Sequence, residues 1–363
     1  MNSERQINTS PVPTREDILT LLAAYGYQGN GEIRLIDTSF GPEDIRLHCI
    51  IDKKWVLRFS SAEVMSERRL SELNRLIERY RSFGLRCPAF LPAPDGRFCR
   101  TWNGLCVYLA EYIDLPTARE AELRDPGALW REVQDSVAAF AETYRGVDLS
   151  ETLGMYSLFE LSPYDRELGK DEKQQNFERL LETLLEIGQD TLTARLEEKH
   201  GEVRGRLRAV YRSLPRCVFQ GDENFGNVLV DERQHLAGFI DFNMAGTEVI
   251  VNQFANLGDG FEHGGETPIG AKKRLALALE AYRSDQARML RIYHATEGER
   301  AALRDYTWLA FVAGWPQLCY FRANLKNEAL REEMLGLLAL LAEGPETWAG
   351  ISGETTQPTG GST

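Results

Sequence analysis

Two aspartates and an asparagine, Asp222, Asn227 and Asp241, fall within one short stretch, Gln220-Gly-Asp-Glu-Asn-Phe-Gly-Asn227 through Gly238-Phe-Ile-Asp-Phe242. Together they offer a carboxylate that can take a proton from a hydroxyl and two oxygen donors for a hard cation. Moving the terminal phosphate of ATP onto a hydroxyl needs that set, because the protein's task there is chiefly to position reactants and neutralise charge. Mg2+ takes oxygen ligands, keeps some of its waters, and is usually held by one or two carboxylates plus substrate phosphates. On this reading Asp222 orients and deprotonates the acceptor hydroxyl, while Asn227 and Asp241 hold Mg2+. Singly, such residues are ordinary turn formers. Their order favours chemistry: D-x4-N, a hairpin, then I-D-F.

The hairpin is what brings them together. Val228-Leu-Val230 and Leu236 to Ile240 are apolar runs around the polar break Asp231-Glu-Arg-Gln-His235. Two such runs predict antiparallel strands. Asn227 at the entrance and Asp241 at the exit then share the open end, with Asp222 in the loop that feeds it.

The segment QGDENFGNVLVDERQHLAGFIDF resembles the motif of the aminoglycoside phosphotransferase and choline kinase group, the small-molecule relatives of protein kinases. That motif runs roughly H-G-D-x4-N-x-L-(V/I), a turn, then (V/I)-I-D-(F/W). The resemblance implies an α+β, two-lobed protein-kinase-like fold, with a small antiparallel N-lobe sheet and a larger, mainly helical C-lobe. It gives Asp222 the catalytic role and Asn227 and Asp241 the metal. Three departures accompany it. Gln220 replaces the His that braces the loop, and an amide can form such hydrogen bonds too. Asn243 follows Asp-Phe where a small or acidic residue is usual. Val249-Ile-Val-Asn-Gln-Phe-Ala255 stands where the group shows D-P-x-x-D-L-A, so both acids that tie the catalytic loop to the helical lobe are lost.

The nucleotide grip belongs in the N-lobe. A basic side chain on the third strand holds the phosphates in kinase-like folds, paired with a Glu on the next helix. Trp55-Val-Leu-Arg-Phe59 resembles that strand, which makes Arg58 the phosphate holder and Glu72 its partner, with Glu67 and Glu78 on the same helix as alternatives. Neither G-x-G-x-x-G nor a Walker loop occurs. Asp37-Thr-Ser-Phe-Gly41 takes the place of the phosphate-covering loop, offering the hydroxyl of Ser39 and the amide of Gly41, and reads equally as a plain turn. Tyr108-Leu-Ala-Glu-Tyr-Ile113 reads as the connector between lobes, whose backbone near Glu111 and Ile113 receives adenine.

Acidic residues near the acceptor, Glu223, Asp259, Glu262 and Glu266, would suit a cationic amino-sugar or amino-alcohol. Asp259, Glu262 and Glu266 sit in the Gly-rich stretch GDGFEHGGET, and an acidic cluster of that kind is more often simply a hydrated loop.

The pattern along the chain divides it into a flexible leader (1–13), the N-lobe (14–113), the helical C-lobe with the catalytic loop and acceptor site (114–349) and a Gly/Thr/Ser-rich disordered tail (350–363). In the N-lobe a helix from Thr14 precedes strands over Glu32–Ile36, Ile45–Ile51 and Trp55–Phe59. A long helix follows, from about Ala62 to Phe83, then a hairpin from Phe98 to Ile113. C-lobe helices are expected over Leu129–Tyr144, Phe177–Ile187, Leu192–Arg212, Lys272–Tyr282, Asp285–His294, Glu297–Phe321 (kinked at Pro316) and Glu328–Glu343. The helical spacing of Trp308, Trp315 and Tyr320 places all three in the core.

With 363 residues, 43% of them hydrophobic, the chain can bury a sizeable core. Its net charge of −13 argues against nucleic acid or an anionic membrane as partner and is compatible with a small cationic acceptor. Six scattered cysteines without C-x-x-C spacing read as reduced core thiols, in keeping with a cytoplasmic location, and neither they nor the five His suggest a zinc site. The expected activity is ATP- and Mg2+-dependent phosphorylation of a small-molecule hydroxyl. GTP in place of ATP and the oligomeric state stay open, and the altered braces leave a nucleotide-binding pseudokinase or regulatory module as the alternative.

Overall fold

The computed structural model describes residues 12–28, 31–39, 45–61, 64–149, 152–166, 168–258, 260–261, 265 and 267–351. After helix α1 (Arg15–Ala24) come strands β1 (Ile33–Asp37), β2 (Arg46–Ile51) and β3 (Trp55–Ser61), then helix α2 (Glu67–Ser82). Strands β4 (Phe90–Leu91), β5 (Arg100–Trp102) and β6 (Leu105–Glu111) complete an antiparallel sheet in the order β1-β2-β3-β6-β4, with β5 also pairing β6.

The two-residue period of a strand sends alternate side chains to opposite faces, and here each face joins a different core. Leu105, Val107 and Leu109 of β6 pack with Leu57 and Phe59 of β3 and with Ile18, Leu21 and Leu22 of α1. Cys106, Tyr108 and Ala110, one residue out of phase, join the larger cluster with Leu70, Leu73, Leu76, Ile77 and Tyr80 of α2. That cluster continues into the helical part, so the division between cores runs through the sheet. α2 shares its core with Val228, Val230 and Phe239 of the hairpin.

The α2 helix begins at Glu67, later than the expected Ala62, because the Ser66 hydroxyl accepts from the amide of Arg69 and caps it there. The helical part comprises α3 (Pro126–Thr143), α4 (Glu172–Glu186) and α5 (Asp190–Val210), then α6 (Ile250–Asn256), α7 (Ala271–Ile292), α8 (Glu297–Ala313), α9 (Trp315–Asn324) and α10 (Arg331–Ala342). Where two helices are expected over 272–294, one continuous α7 forms, since Arg283-Ser284 contains no breaker. Where one kinked helix is expected over 297–321, the chain breaks. Gly314 is extended (φ −65°, ψ 144°) and Pro316 sits in the first turn of α9, where its missing N–H costs nothing. The break turns Trp315 out to 54% exposure while Trp308 is fully buried, so the core assignment of Trp315 is corrected.

Between α5 and α6 lie β7 (Arg216–Phe219), the hairpin β8 (Val228–Val230) and β9 (Leu236–Phe239), and β10 (Gly246–Val249), which pairs antiparallel with β7. Among the described residues no helix is long and apolar enough to cross a membrane.

Candidate active site

The hairpin forms as its sequence pattern predicts, with Val228 opposite Phe239. Asp231 makes the turn: its Oδ1 accepts from the amides of Arg233 (2.8 Å) and His235 (2.9 Å). At the open end the Ile240 amide donates to the Asn227 carbonyl at 2.9 Å, which sets Asn227 beside Asp241. Gly238 is required there, because a Cβ would lie 1.8 Å from the Arg86 carbonyl oxygen, whose strand-like segment clamps the hairpin through Arg86 N–H to Ala237 and Phe239 N–H to Arg86.

The loop around Asp222 is tied by its own side chains. Asn227 Nδ2 donates to the Asp222 carbonyl (2.9 Å) and to Asp222 Oδ2 (2.8 Å), so its Oδ1 is the atom left for a cation. Asn224 Nδ2 donates to Asp222 Oδ1 at 2.8 Å, and Arg119 Nη2 reaches Asn224 at 3.3 Å. Burial, with the charge of Asp241, pushes the Asp222 carboxyl above its ordinary value, against the two asparagine amides. A base gains proton affinity that way.

Gln220 does what the resemblance assigns to His. Its Nε2 donates to the carbonyls of Ile240 (2.9 Å) and Asp241 (2.7 Å), and its Oε1 accepts from the Asp222 amide (2.7 Å). One amide therefore joins the Asp222 loop to the Asp241 turn. The Gln220 amide in turn donates to the Tyr80 hydroxyl of α2 at 3.1 Å. Asp241 itself is held at φ +57°, a left-handed conformation that non-glycine residues seldom adopt and that clusters at functional sites.

One of the departures is compensated from the loop. Glu223 is buried, and both its oxygens accept from Gln253 Nε2, at 3.1 and 3.0 Å, with the Gly221 amide donating to Oε1 at 3.2 Å. Gln253 occupies the second acidic position of the D-P-x-x-D-L-A pattern. Loop and helix are still joined, with the carboxylate moved to the loop and the amide to α6. The expectation that Glu223 meets an acceptor is thereby corrected: it faces α6. Burial pushes its carboxyl up to about 7.

The N-lobe grip differs from expectation. Arg58 pairs with Asp241, Nη1 to Oδ1 at 3.2 Å, and not with Glu72. Burial alone would raise the Asp241 carboxyl, but the Arg58 charge beside it holds it below its ordinary value. The Glu72 carboxylate is taken by the Thr152 hydroxyl, with Arg68 at 3.6 Å and Arg75 at 3.9 Å, which is why it has no role at Arg58. Opposite Arg58 on the neighbouring strands stand His48 and Tyr108. Burial and the Arg58 charge push His48 down to about 3, so it is neutral there.

A second link between sheet and catalytic segment centres on Asn243. Tyr108 donates to its Oδ1 (3.1 Å), while Arg69 Nη2 (2.7 Å) and the Tyr164 hydroxyl (3.3 Å) donate to its carbonyl. Spacing gave no signal for Arg69 or Tyr164, which reach Asn243 from remote elements. Asn224 sits two residues from Asp222, a D-x-N spacing that could have flagged it.

The remaining site expectations fall as follows. The Ser39 hydroxyl accepts from the Arg46 amide at 2.9 Å and its own amide donates to Asp37 Oδ1, so Ser39 closes the β1–β2 loop. Gly41, Asp259, Glu262 and Glu266 lie outside the described residues. The Glu111 amide donates to the Ala89 carbonyl at 3.0 Å, its carboxylate pairs with Arg81, and the Tyr112 amide donates to the Lys54 carbonyl at 2.9 Å, so the amides of Glu111 and Tyr112 are both already engaged and only the stretch at Ile113 keeps the expected place for a base.

No curated protein matches the sequence. Among solved structures, an amicoumacin kinase in complex with AMP-PNP, Ca2+ and Ami superposes with a TM-score of 0.53 at 13% identity, covering 93% of this chain and 95% of the other. A microcompartment-associated aminopropanol kinase gives a TM-score of 0.50 at 15% identity, covering 93% and 98%. At such identities the likeness is one of fold. The model of the phosphotransferase enzyme family (APH) matches residues 47–288, a span holding Arg58, the catalytic hairpin and α6. The chain belongs to the phosphotransferase enzyme family.

Proposed function

We propose that the protein transfers the terminal phosphate of ATP, with GTP as an alternative donor, to a hydroxyl of a small cationic molecule such as an amino-sugar or amino-alcohol, in the cytoplasm. The observation that carries this reading is the junction of Asp222, Asn227 and Asp241 at the open end of one hairpin. The carboxylate of Asp241 and Oδ1 of Asn227 form an all-oxygen pair that fits Mg2+. A Mg2+ ion held there would offset the charge that develops on the transferred phosphate. Asp222 accepts the acceptor's proton, its proton affinity raised by burial. Arg58 leaves Asp241 partly or wholly to meet phosphate oxygens, for which a planar guanidinium is well shaped. Residues 14–113 would supply the nucleotide grip and residues 114–349 the acceptor.

A cationic acceptor is supported by charge. After burial, the charges of Glu172 and Asp222 raise the Tyr156 phenol, so two acids that Glu223's turn toward α6 leaves untouched act on the same side chain. Glu172 Oε2 is buried without a hydrogen-bond partner, which an ammonium would supply.

The test is ADP release with Mg-ATP over a panel of amino-sugars, amino-alcohols, nucleosides and macrolide-type alcohols, with Asp222→Asn as control. Turnover with an amine-bearing alcohol, lost on the order of 10²–10⁴-fold in Asp222→Asn, supports the proposal. Tight Mg-ATP binding with no turnover on any acceptor would leave the pseudokinase reading instead.

A further inference from the structure

The six cysteines are all free, but two of them touch. Cys99 immediately precedes β5 and Cys106 is the second residue of β6, and their Sγ atoms are 2.7 Å apart. Carbon atoms rest against one another at roughly 3.5–4.0 Å, and sulfur is larger. The covalent S–S distance is about 2.05 Å. The two sulfurs are thus nearer to a bond than to ordinary contact.

The backbone around them is held firmly. The Cys99 and Phe98 amides donate to the two oxygens of Glu67, at 2.7 and 3.0 Å. The Tyr25 hydroxyl contacts the carbonyls of Phe98 (2.6 Å) and Val107 (2.7 Å), tying both arms of the hairpin to α1's C-terminal end. A shared metal is not the reason for the contact, because no group of three His, Cys, Asp or Glu able to hold one occurs among the described residues.

The pair is also asymmetric. Cys99 is partly exposed and Cys106 is buried. Burial pushes Cys49, Cys87 and Cys217 up to about 12. Cys99 moves the other way, lowered chiefly by the hydrogen bond with Cys106, whose own thiol is raised by the same contact. The partly exposed cysteine of the pair is therefore the one whose thiol is lowered, and the thiolate is the reactive form.

We propose that Cys99 and Cys106 are a reversible thiol–disulfide couple oxidised by a hydroperoxide, with Cys99 attacking and Cys106 resolving. The Cys99 thiolate attacks one peroxide oxygen, the O–O bond breaks, and the departing oxygen takes up a proton. Cys99 is then a sulfenic acid. The Cys106 sulfur attacks the Cys99 sulfur, the S–O bond breaks, and hydroxide leaves with the Cys106 proton as water. Two thiols give up two electrons, and hydrogen peroxide ends as two waters. The bridge would lock β5 to β6, whose Tyr108 lies two residues beyond Cys106 and holds Asn243. It is independent of the acceptor and of phosphoryl transfer.

The test uses the full-length protein, treated with hydrogen peroxide, denatured, titrated for thiols and mapped by peptide mass spectrometry. The expected result is loss of two of the six thiols before Cys319 reacts, a mass lower by two hydrogens, a linked Cys99–Cys106 peptide, and recovery with dithiothreitol. Cys106→Ser should stop at a sulfenic acid on Cys99 that dimedone traps, and Cys99→Ser should resist oxidation. Six thiols surviving the treatment, a linkage mapped elsewhere, or sulfinic acid on Cys99 of the wild-type chain without the linked peptide would each overturn the proposal.

Discussion

The hairpin that carries Asp222, Asn227 and Asp241 and the third strand of the small sheet that carries Arg58 hold their charged side chains in opposite ways. In the hairpin segment the contacts that tie the loop to the turn are local: Asp222 is held by Asn224 and Asn227, and Gln220 reaches forward to Ile240 and Asp241. In the grip the decisive contact joins Arg58 to Asp241 across 183 residues of sequence. Residues a few positions apart on a fixed turn have few available partners. A guanidinium on a strand has many, and which acceptor wins depends on competition that spacing does not encode. Thr152 and two arginines claim Glu72, and Arg58 pairs with the Asp241 carboxylate.

The largest test of this contrast removes the point where the two regions meet. Asp241→Asn keeps the shape but loses the charge that faces both Arg58 and a cation. We expect kcat to fall on the order of 10³-fold, since a metal contributes several kcal/mol of charge stabilisation at the reacting phosphate. Circular dichroism should show the fold retained. Full activity in the Asp241→Asn variant would mean that the hairpin is not the metal site.

Gln220 tests the local half. Gln220→Ala would leave the Asp222 amide and two carbonyls without their partner, and each buried group left unpaired costs about 1–3 kcal/mol. A fall of about 10²-fold in kcat is expected from steady-state rates at saturating nucleotide. Gln220→His should stay within about tenfold of wild type, because imidazole also supplies one donor and one acceptor. Equal damage from both would show that the amide is more than a stand-in.

How much was legible follows the same line. The hairpin, the meeting of Asn227 and Asp241 at its open end, the role of Gln220 as a brace and the antiparallel sheet were readable, because strand period and turn chemistry act over a few residues; the shift of register between Leu229 and Val230 was not. The partner of Arg58, the inward turn of Glu223 and the exposure of Trp315 were not, each being settled by an element far away in sequence. The acid missing from α6 was a visible loss. Its replacement by Glu223 appears only when Gln253 is seen to touch it.

That relocated acid has a pH signature. Burial raises the Glu223 carboxyl from 4.5 to about 7, so between those values the folded chain holds a proton that the unfolded chain has released. Stability contributed by this group is then present below the unfolded value, falls as pH rises through about 7, and stays low above it. Glu223→Gln keeps an acceptor for Gln253 and removes the titration. Chemical denaturation should find the variant more stable than wild type at pH 8, on the order of 1–3 kcal/mol, and no more stable at pH 4. A pH-independent difference would show that Glu223 ionises freely.

The smallest expected effect bears on the grip. In a double-mutant cycle, Arg58→Met with Glu72→Gln should give a coupling within about 0.5 kcal/mol, as for residues that share no partner. Arg58→Met with Asp241→Asn should couple by about 0.5–3 kcal/mol, the range for residues in contact. The control is Glu72→Gln with Thr152→Val, where the coupling should reappear, because the hydroxyl donates to that carboxylate. Stability to denaturant is the proper readout, since it registers the unliganded chain in which Arg58 and Asp241 are paired. A strong Arg58–Glu72 coupling there, with none between Glu72 and Thr152, would restore the helix glutamate as Arg58's partner and show that the hairpin and the grip are wired alike.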